Sequence, residues 1–123
     1  MRRPKILIAD DHPKVREAIR KLLEPACDVI GCVGDGRALL KAAVELRPDL
    51  VLVDVGLPVL NGLEAGRALK KIMPQIKLIY ITMDADPDIA NEALRIGASG
   101  YLVKSSMGRE LLQAIRKAAG DDV

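Results

Sequence analysis

The sequence predicts a doubly wound parallel α/β fold, with helices on both faces of a single sheet. Short apolar segments of strand length alternate five times with segments whose apolar residues recur at helical spacing. The connections are only a few residues long, and one of the predicted strands is apolar at every position, as in parallel strands covered on both faces. A chain of 123 residues, half of them hydrophobic, has the size and composition of one ordered domain.

The first predicted strand is Lys5–Ala9, a run of apolar residues. A helix then begins at Pro13, because proline suits the first helical turn, and Pro25 ends it. Its apolar residues form one stripe at the spacing i, i+3, i+4, i+7 and i+8: Val15, Ala18, Ile19, Leu22 and Leu23.

The second predicted strand is Asp28–Val33, which Gly31 interrupts. Asp35 has the character of an N-cap for the next helix, and Pro48 closes that helix. A third strand follows at residues 50–53. Its continuous apolar character predicts a central position in the sheet.

The third helix is predicted from Asn61, which precedes Glu64 by three residues in a capping arrangement. This helix ends before Pro74. The next apolar and β-branched run, residues 76–82, predicts the fourth strand.

The fourth helix has N-cap and first-turn residues in Asp86 and Pro87, and a C-cap residue in Gly97. Residues 101–103 form a short fifth strand. A last helix is marked by apolar residues at helical spacing: Leu111, Leu112, Ile115, Ala118 and Ala119. The strict strand–helix alternation and the right-handed crossover rule predict one doubly wound domain over residues 1–119, with residues 120–123 as a tail or the start of a linker.

Composition excludes several function classes. Nineteen basic and seventeen acidic residues leave a net charge of +2, which argues against a dedicated nucleic-acid surface, and the absence of Phe and Trp removes stacking platforms for single strands. Cys27, Cys32 and His12 are too few ligands for a structural zinc site. No apolar run approaches the roughly 20 residues of a membrane helix. We therefore expect a cytoplasmic protein without a membrane partner.

Polar residues follow four of the five predicted strands, which are otherwise apolar. These residues are Asp10 and Asp11, Asp54, Thr82 and Lys104. In an open parallel sheet the carboxyl ends of the strands form the ligand site, so we expect these side chains to converge. Mutually repelling carboxylates that offer only oxygen ligands, without His or Cys, favour Mg²⁺ over Mn²⁺ or Ca²⁺. A lysine with a threonine hydroxyl suits a phosphoryl group that one aspartate can accept. Each aspartate taken singly could instead be a helix cap.

These residues lie in segments that resemble the receiver domains of two-component response regulators over nearly the whole chain. The matching segments are ILIADDHPKVR (6–16), DLVLVDVGLPVLNG (49–62), LIYIT (78–82) and GASGYLVK (97–104). The spacing of Asp54, Pro58 and Gly62 is the most specific feature, and the DDHP opening is similar to the NarL/FixJ subfamily. The resemblance implies a flavodoxin-like (βα)5 fold with strand order 2-1-3-4-5.

By this resemblance, Asp54 is the phosphoacceptor, receiving its phosphoryl group from a histidine kinase or a phosphotransfer protein. Magnesium would be held by Asp10, Asp11 and Asp54 and by the backbone carbonyl of Gly56.

Thr82 and Lys104 would contact the phosphoryl oxygens, and Thr82 together with Tyr101 would form the conformational switch. The resemblance also implies a possible phosphorylation-dependent homodimer, and a DNA-binding output domain outside this sequence through which transcription is regulated. The chain would then be a signalling switch and not an enzyme, catalysing only its own phosphorylation and dephosphorylation.

Two positions depart from the family pattern. Ser105 follows Lys104 where the family has proline, and we expect a trans peptide bond there because a cis bond without proline costs about 3–4 kcal/mol. Gly56, two residues after Asp54, has no side chain to act on an attacking water. Two alternatives stay open: a degenerate receiver that binds a partner without phosphorylation, and an aspartyl phosphatase of the haloacid dehalogenase type, which would need an acid at position 56.

Overall fold

A computed structural model describes residues 3–120 and contains five strands and five helices. The strands are β1 Lys5–Ala9, β2 Asp28–Val33, β3 Leu50–Asp54, β4 Lys77–Thr82 and β5 Gly100–Val103. The helices are α1 Pro13–Leu23, α2 Gly36–Leu46, α3 Gly62–Ile72, α4 Pro87–Ile96 and α5 Met107–Ala118. Each predicted element is present, and the observed bounds of β3, β4 and β5 differ from the predicted ones by one residue at one end. Of the predicted tail, residues 121–123 lie outside the described part of the chain.

The sheet is parallel throughout, with strand order β2-β1-β3-β4-β5, which confirms the predicted topology. The order reverses between β1 and β3, which pair in register from Ile6 opposite Leu50 to Ala9 opposite Val53. A reversal of this kind leaves a crevice at the carboxyl ends of the two strands. The residues that follow Ala9 and Val53 are Asp10 and Asp54, so the topology brings two aspartates to that crevice.

Two apolar layers lie on opposite faces of the sheet. Residues such as Ile8 and Leu52 pack with α1 and α5, while their chain neighbours Leu7 and Val51 pack with α2, α3 and α4. Alternate residues of a strand point to opposite faces, so both faces of β1 and β3 are buried. Tyr80 is fully buried in the second layer, and both layers are otherwise built from aliphatic side chains and small residues.

The predicted helix caps are present. Asp35 Oδ1 accepts from the Ala38 amide at 2.8 Å, and Asn61 Oδ1 accepts from the Glu64 amide at 2.9 Å. Asp86 caps α4 in the same manner, and Gly97 ends that helix with a φ of 97°, a left-handed conformation that glycine adopts without a steric penalty.

Both cysteines are free, as expected. Cys27 is buried, which raises the pKa of its thiol, while Cys32 is half-buried. No helix among residues 3–120 combines the length and the apolar character that a membrane crossing requires.

Candidate functional site

Three aspartates meet at the carboxyl edge of the sheet, as the sequence predicts. Asp10 and Asp54 are 0 % and 3 % exposed, whereas Asp11, at the start of the β1–α1 loop, is exposed. One carboxylate oxygen of each, together with a nitrogen of His12, lies within 4.8 Å of all the others. Buried carboxylates in such proximity repel one another, so the arrangement needs a positive charge to stabilise it.

Lys104, which follows β5, supplies one positive charge. Its Nζ lies 2.9 Å from Asp10 Oδ2 and 3.3 Å from Asp54 Oδ2, and its side chain is only 8 % exposed. The Lys104 amide donates to the Thr82 carbonyl at 2.8 Å, which continues the β4–β5 pairing and holds the lysine over the aspartates. The predicted convergence of Lys104 with Asp10 and Asp54 is therefore present.

Within the described residues, the two carboxylate oxygens of Asp10 differ in their hydrogen bonding. Asp10 Oδ1 accepts from the His12 amide at 2.8 Å, but the buried Oδ2 atom accepts no hydrogen bond, although Lys104 Nζ is 2.9 Å away. The Lys104–Asp10 contact is thus an ionic approach without hydrogen-bonding alignment. The Lys104 ammonium therefore offsets part of the charge on this buried oxygen, and a bound cation would offset the charge of the remaining carboxylates.

His12 lies in the same cluster, which sequence reasoning did not predict. Its Nδ1 is 2.8 Å from Asp10 Oδ1, 3.2 Å from Asp11 Oδ1 and 3.8 Å from Asp54 Oδ2. Nδ1 is also 3.4 Å from Lys104 Nζ. The only sequence signal was its position next to two aspartates. The contact of the ring with Asp10 is local, whereas its approach to Asp54 and Lys104 depends on the tertiary structure.

The β3–α3 connection fixes the Asp54 side chain. The Gly56 amide donates to Asp54 Oδ1 at 3.0 Å, which leaves Oδ2 facing Lys104. Further along, α3 starts directly against the end of β3, since a Cβ atom at Gly62 would lie 2.1 Å from the Asp54 carbonyl oxygen. This close approach is the structural reason for glycine at position 62.

Thr82 and Tyr101, the predicted switch pair, are joined through the β4–α4 loop. Thr82 Oγ1 donates to the Asp84 carbonyl at 3.3 Å, and the Asp86 amide donates to the Tyr101 hydroxyl at 3.3 Å. The Tyr101 ring is half-buried against the apolar layer beneath α2, α3 and α4. Both hydroxyls are therefore bonded to the backbone of one short loop beside the acidic cluster.

The peptide bond between Lys104 and Ser105 is trans, as expected, since residues 3–120 contain no cis peptide bond. The chain turns instead through a hydrogen bond from the Ser106 amide to the Val103 carbonyl at 3.0 Å, and α5 begins at Met107. A proline is therefore not needed to direct the chain from Lys104 into α5.

The fold and the site define a class of protein, and comparison with known sequences identifies it. Residues 6–116 match the response regulator receiver domain family, so the chain belongs to this family of signalling switches. The match favours a receiver over the haloacid dehalogenase alternative.

The curated proteins that match this chain include transcriptional regulatory proteins and response regulators. The chain is 36% identical over 117 residues to the transcriptional regulatory protein YxjL of Bacillus subtilis, and 38% identical over 115 residues to the response regulator GacA of Pseudomonas aeruginosa. These alignments cover 94% and 92% of this chain but 54% of each relative. The chain thus spans about half the length of the curated relatives it matches.

Solved structures agree in fold. A two-component response regulator of the LuxR family from Aurantimonas sp. superposes with a TM-score of 0.91 at 36% identity, covering 97% of this chain and 87% of that one. The receiver domain of the response regulator NarL from Mycobacterium tuberculosis gives 0.90 at 28% identity, with 98% of both chains covered. The predicted resemblance to NarL-type receivers is confirmed.

Proposed function

We propose that this chain is a phosphorylation-controlled receiver in which Asp54 accepts a phosphoryl group with the help of Mg²⁺. The observation that carries the proposal is the arrangement around Asp54 Oδ2, which is buried, 3.3 Å from Lys104 Nζ and beside two further carboxylates. A carboxylate in this setting can act as a nucleophile once the repulsion around it is neutralised.

The residues present fit a magnesium ion. Asp10, Asp11 and Asp54 offer carboxylate oxygens, the Gly56 carbonyl offers a backbone oxygen, and the buried Asp10 Oδ2 atom lacks a hydrogen bond from the described residues. Mg²⁺ prefers such oxygen donors and retains waters that phosphoryl oxygens can replace. When bound, the ion supplies positive charge that offsets both the carboxylates and the incoming phosphoryl group.

The chemistry of this chain's own residues follows from their positions. Asp54 Oδ2 attacks phosphorus, and the bond between phosphorus and the nitrogen of the donor histidine breaks as the new P–O bond forms. Lys104 Nζ is placed to bind a phosphoryl oxygen, because the transfer occurs at the oxygen it already contacts. Thr82, at the adjacent strand end, supplies a hydroxyl donor once it leaves the Asp84 carbonyl.

A change at Thr82 would reach the surface through the β4–α4 loop. If the Thr82 hydroxyl moves to the phosphoryl group, the loop that also bonds the Tyr101 hydroxyl loses one of its contacts. Phosphorylation would then shift a population of loop and Tyr101 conformations. NMR resonances of the Tyr101 ring should change on phosphorylation, and an unchanged ring environment would remove Tyr101 from the switch.

The names and lengths of the relatives support a proposal for the process that this receiver controls. Several are named transcriptional regulatory proteins or response regulators, and all are about twice as long as the aligned segment. We infer that the protein is cytoplasmic and that its partner is a histidine kinase or a phosphotransfer protein. We also infer a phosphorylation-dependent homodimer, and DNA binding only through an output domain beyond this sequence.

The test is the intact mass of the protein after incubation with acetyl phosphate, with and without Mg²⁺. We expect a Mg²⁺-dependent gain of one phosphoryl group in the wild type and none in Asp54→Ala. Asp28→Asn is the matched control, because Asp28 begins β2 at the opposite edge of the sheet, where its exposed carboxylate pairs with Arg3. No gain in the wild type, repeated with a panel of histidine kinases, would favour a receiver that acts without phosphorylation.

A further inference from the structure

A groove between α3 and α4 concentrates positive charge on one part of the surface. It encloses a cavity of about 240 Å³ along the second halves of the two helices. The residues that line this α3–α4 groove are Arg67, Lys70, Lys71, Glu92, Arg95 and Ile96. Four cations and one carboxylate give the lining a formal charge of +3, whereas the whole chain has +2. The excess charge of the protein is therefore gathered here, and none of these residues belongs to the acidic cluster.

The carboxylates at the α3–α4 groove are already engaged by arginine. Arg67 donates to Glu64, one turn earlier in α3, and to Glu92 in α4. The other oxygen of Glu92 accepts from Arg95 at 3.4 Å. These ion pairs join the two helices and fix the walls of the groove. They leave the lysines of the lining without a carboxylate partner among the described residues.

Both lysines of the groove keep positive charge that the chain does not neutralise. Lys70 Nζ donates to the neutral carbonyls of Pro74 and Ile76 at 3.2 and 2.9 Å. The exposed Lys71 forms no hydrogen bond or ion pair within the described part of the chain. Burial, and to a smaller extent the charge of Lys77, lower the pKa of Lys70. The helix dipoles offset only about half a charge at each helix C-terminus, so a bound anion would relieve the remaining crowding of cations.

The lining of the α3–α4 groove favours a protein segment over a nucleic acid. Among the described residues, no aromatic ring lines the groove on which a base could stack, and the nearly neutral chain lacks a broad basic face. The half-buried Ile96 adds an apolar contact that a phosphate backbone would not use. The Arg95 side chain is 78 % exposed, and its guanidinium can bind a carboxylate through two donors.

We propose that the α3–α4 groove is a docking surface for an acidic segment of a partner protein. Carboxylates of this segment bind Lys71 and Arg95, and an aliphatic side chain packs on Ile96. These charge pairs lie at the surface, so the affinity is modest and falls as the salt concentration rises. Docking at the groove does not depend on phosphorylation of Asp54, and it holds the partner beside the receiver whether or not that reaction occurs.

The test is fluorescence anisotropy at low salt, in which the whole unphosphorylated chain is added to a labelled synthetic peptide of repeated Glu-Glu-Leu units. We expect binding by the wild type. Lys71→Glu should weaken it at least about fivefold, because an attractive charge becomes a repulsive one. Lys71 is exposed and makes no contact that the fold needs, so the variant should fold. A peptide with Gln in place of each Glu should not bind measurably.

Lys21→Glu is the matched control. Like Lys71, Lys21 is exposed in the last turn of a helix, but α1 packs on the opposite face of the sheet. The two variants have the same net charge, and Lys21→Glu should bind the peptide nearly as tightly as the wild type. Equal losses in the two variants, full affinity in Lys71→Glu or equal binding of the glutamine peptide would overturn the proposal. Tighter binding of a DNA duplex, weakened by Lys71→Glu, would assign the groove to nucleic acid instead.

Discussion

The hydroxyl of Tyr80 lies directly over Gly66, so that a Cβ atom at position 66 would be 1.8 Å from that oxygen. Tyr80 is fully buried in β4, and its hydroxyl donates to the Leu63 carbonyl at 3.4 Å in the first turn of α3. The glycine lets α3 approach the sheet closely enough to cover the tyrosine. This contact fixes the helix that follows the Asp54 loop.

Gly66→Ala should lower the free energy of unfolding by about 2–3 kcal/mol, because neither the helix backbone nor the buried ring can yield cheaply. Urea unfolding measures the effect. Gly108→Ala in α5 is the matched control, since its Cβ would meet open space and the substitution should stabilise by about 0.4–1 kcal/mol. Combining Gly66→Ala with Tyr80→Phe should recover part of the loss; equal losses in the single and double variants would contradict the contact.

Because Tyr80 is buried, we expect the free energy of unfolding to fall in alkaline solution, where a tyrosine hydroxyl ionises. Burial raises the pKa of its hydroxyl above the ordinary value of 10.0, so the unfolded chain releases this proton at lower pH than the folded one. The stabilising contribution of protonated Tyr80 is complete below pH 10 and is lost as the pH rises above 10. The free energy of unfolding falls by up to about 1.4 kcal/mol for each pH unit. The difference in unfolding free energy between wild type and Tyr80→Phe should shrink from pH 9 to pH 11; a constant difference would rule out the coupling.

Val59 adopts a conformation that valine rarely takes, and its replacement should stabilise the fold. Its φ is 69°, the Leu60 amide donates to the Pro58 carbonyl at 2.7 Å across it, and its side chain is 74 % exposed. Val59→Gly should relieve strain without loss of packing and raise the unfolding free energy by about 0.5–1 kcal/mol. The same change at Val44, within α2, should lower it by about 1 kcal/mol. Destabilisation at both positions would mean that Val59 is unstrained.

Removing the Lys104 ammonium should increase Mg²⁺ affinity while impairing phosphorylation. Its Nζ lies within 3.3 Å of Asp10 and Asp54 oxygens, where it competes with a bound cation. Even in water, two unit charges about 4 Å apart interact by about 1 kcal/mol, so Lys104→Met should bind Mg²⁺ at least about fivefold more tightly by calorimetry. Lys104→Arg, which keeps the charge, should stay near the wild type. Weaker binding in Lys104→Met would show that the lysine organises the site instead of opposing the ion.

Local rules were sufficient to predict the element order and the helix caps from the sequence, whereas the strand order was predicted from the family resemblance. Asp35 and Asn61 cap their helices because the next amides are in reach, and the continuous apolar character of β3 predicted its central position. The convergence of Asp10, Asp54 and Lys104 was also predictable, because each follows a strand and parallel strands end at one edge.

Only the tertiary structure decided the features that depend on residues distant in sequence. His12 Nδ1 comes within 3.8 Å of an oxygen of Asp54, 42 positions away, because the β1–α1 loop and the end of β3 share one crevice. The close contact of Gly36 with Leu60, where a Cβ would be 1.9 Å from the carbonyl oxygen, likewise depends on how α2 packs against the β3–α3 loop. Sequence patterns determine backbone elements, whereas the direction of a side chain and the strain of a loop depend on neighbours that only the folded chain brings together.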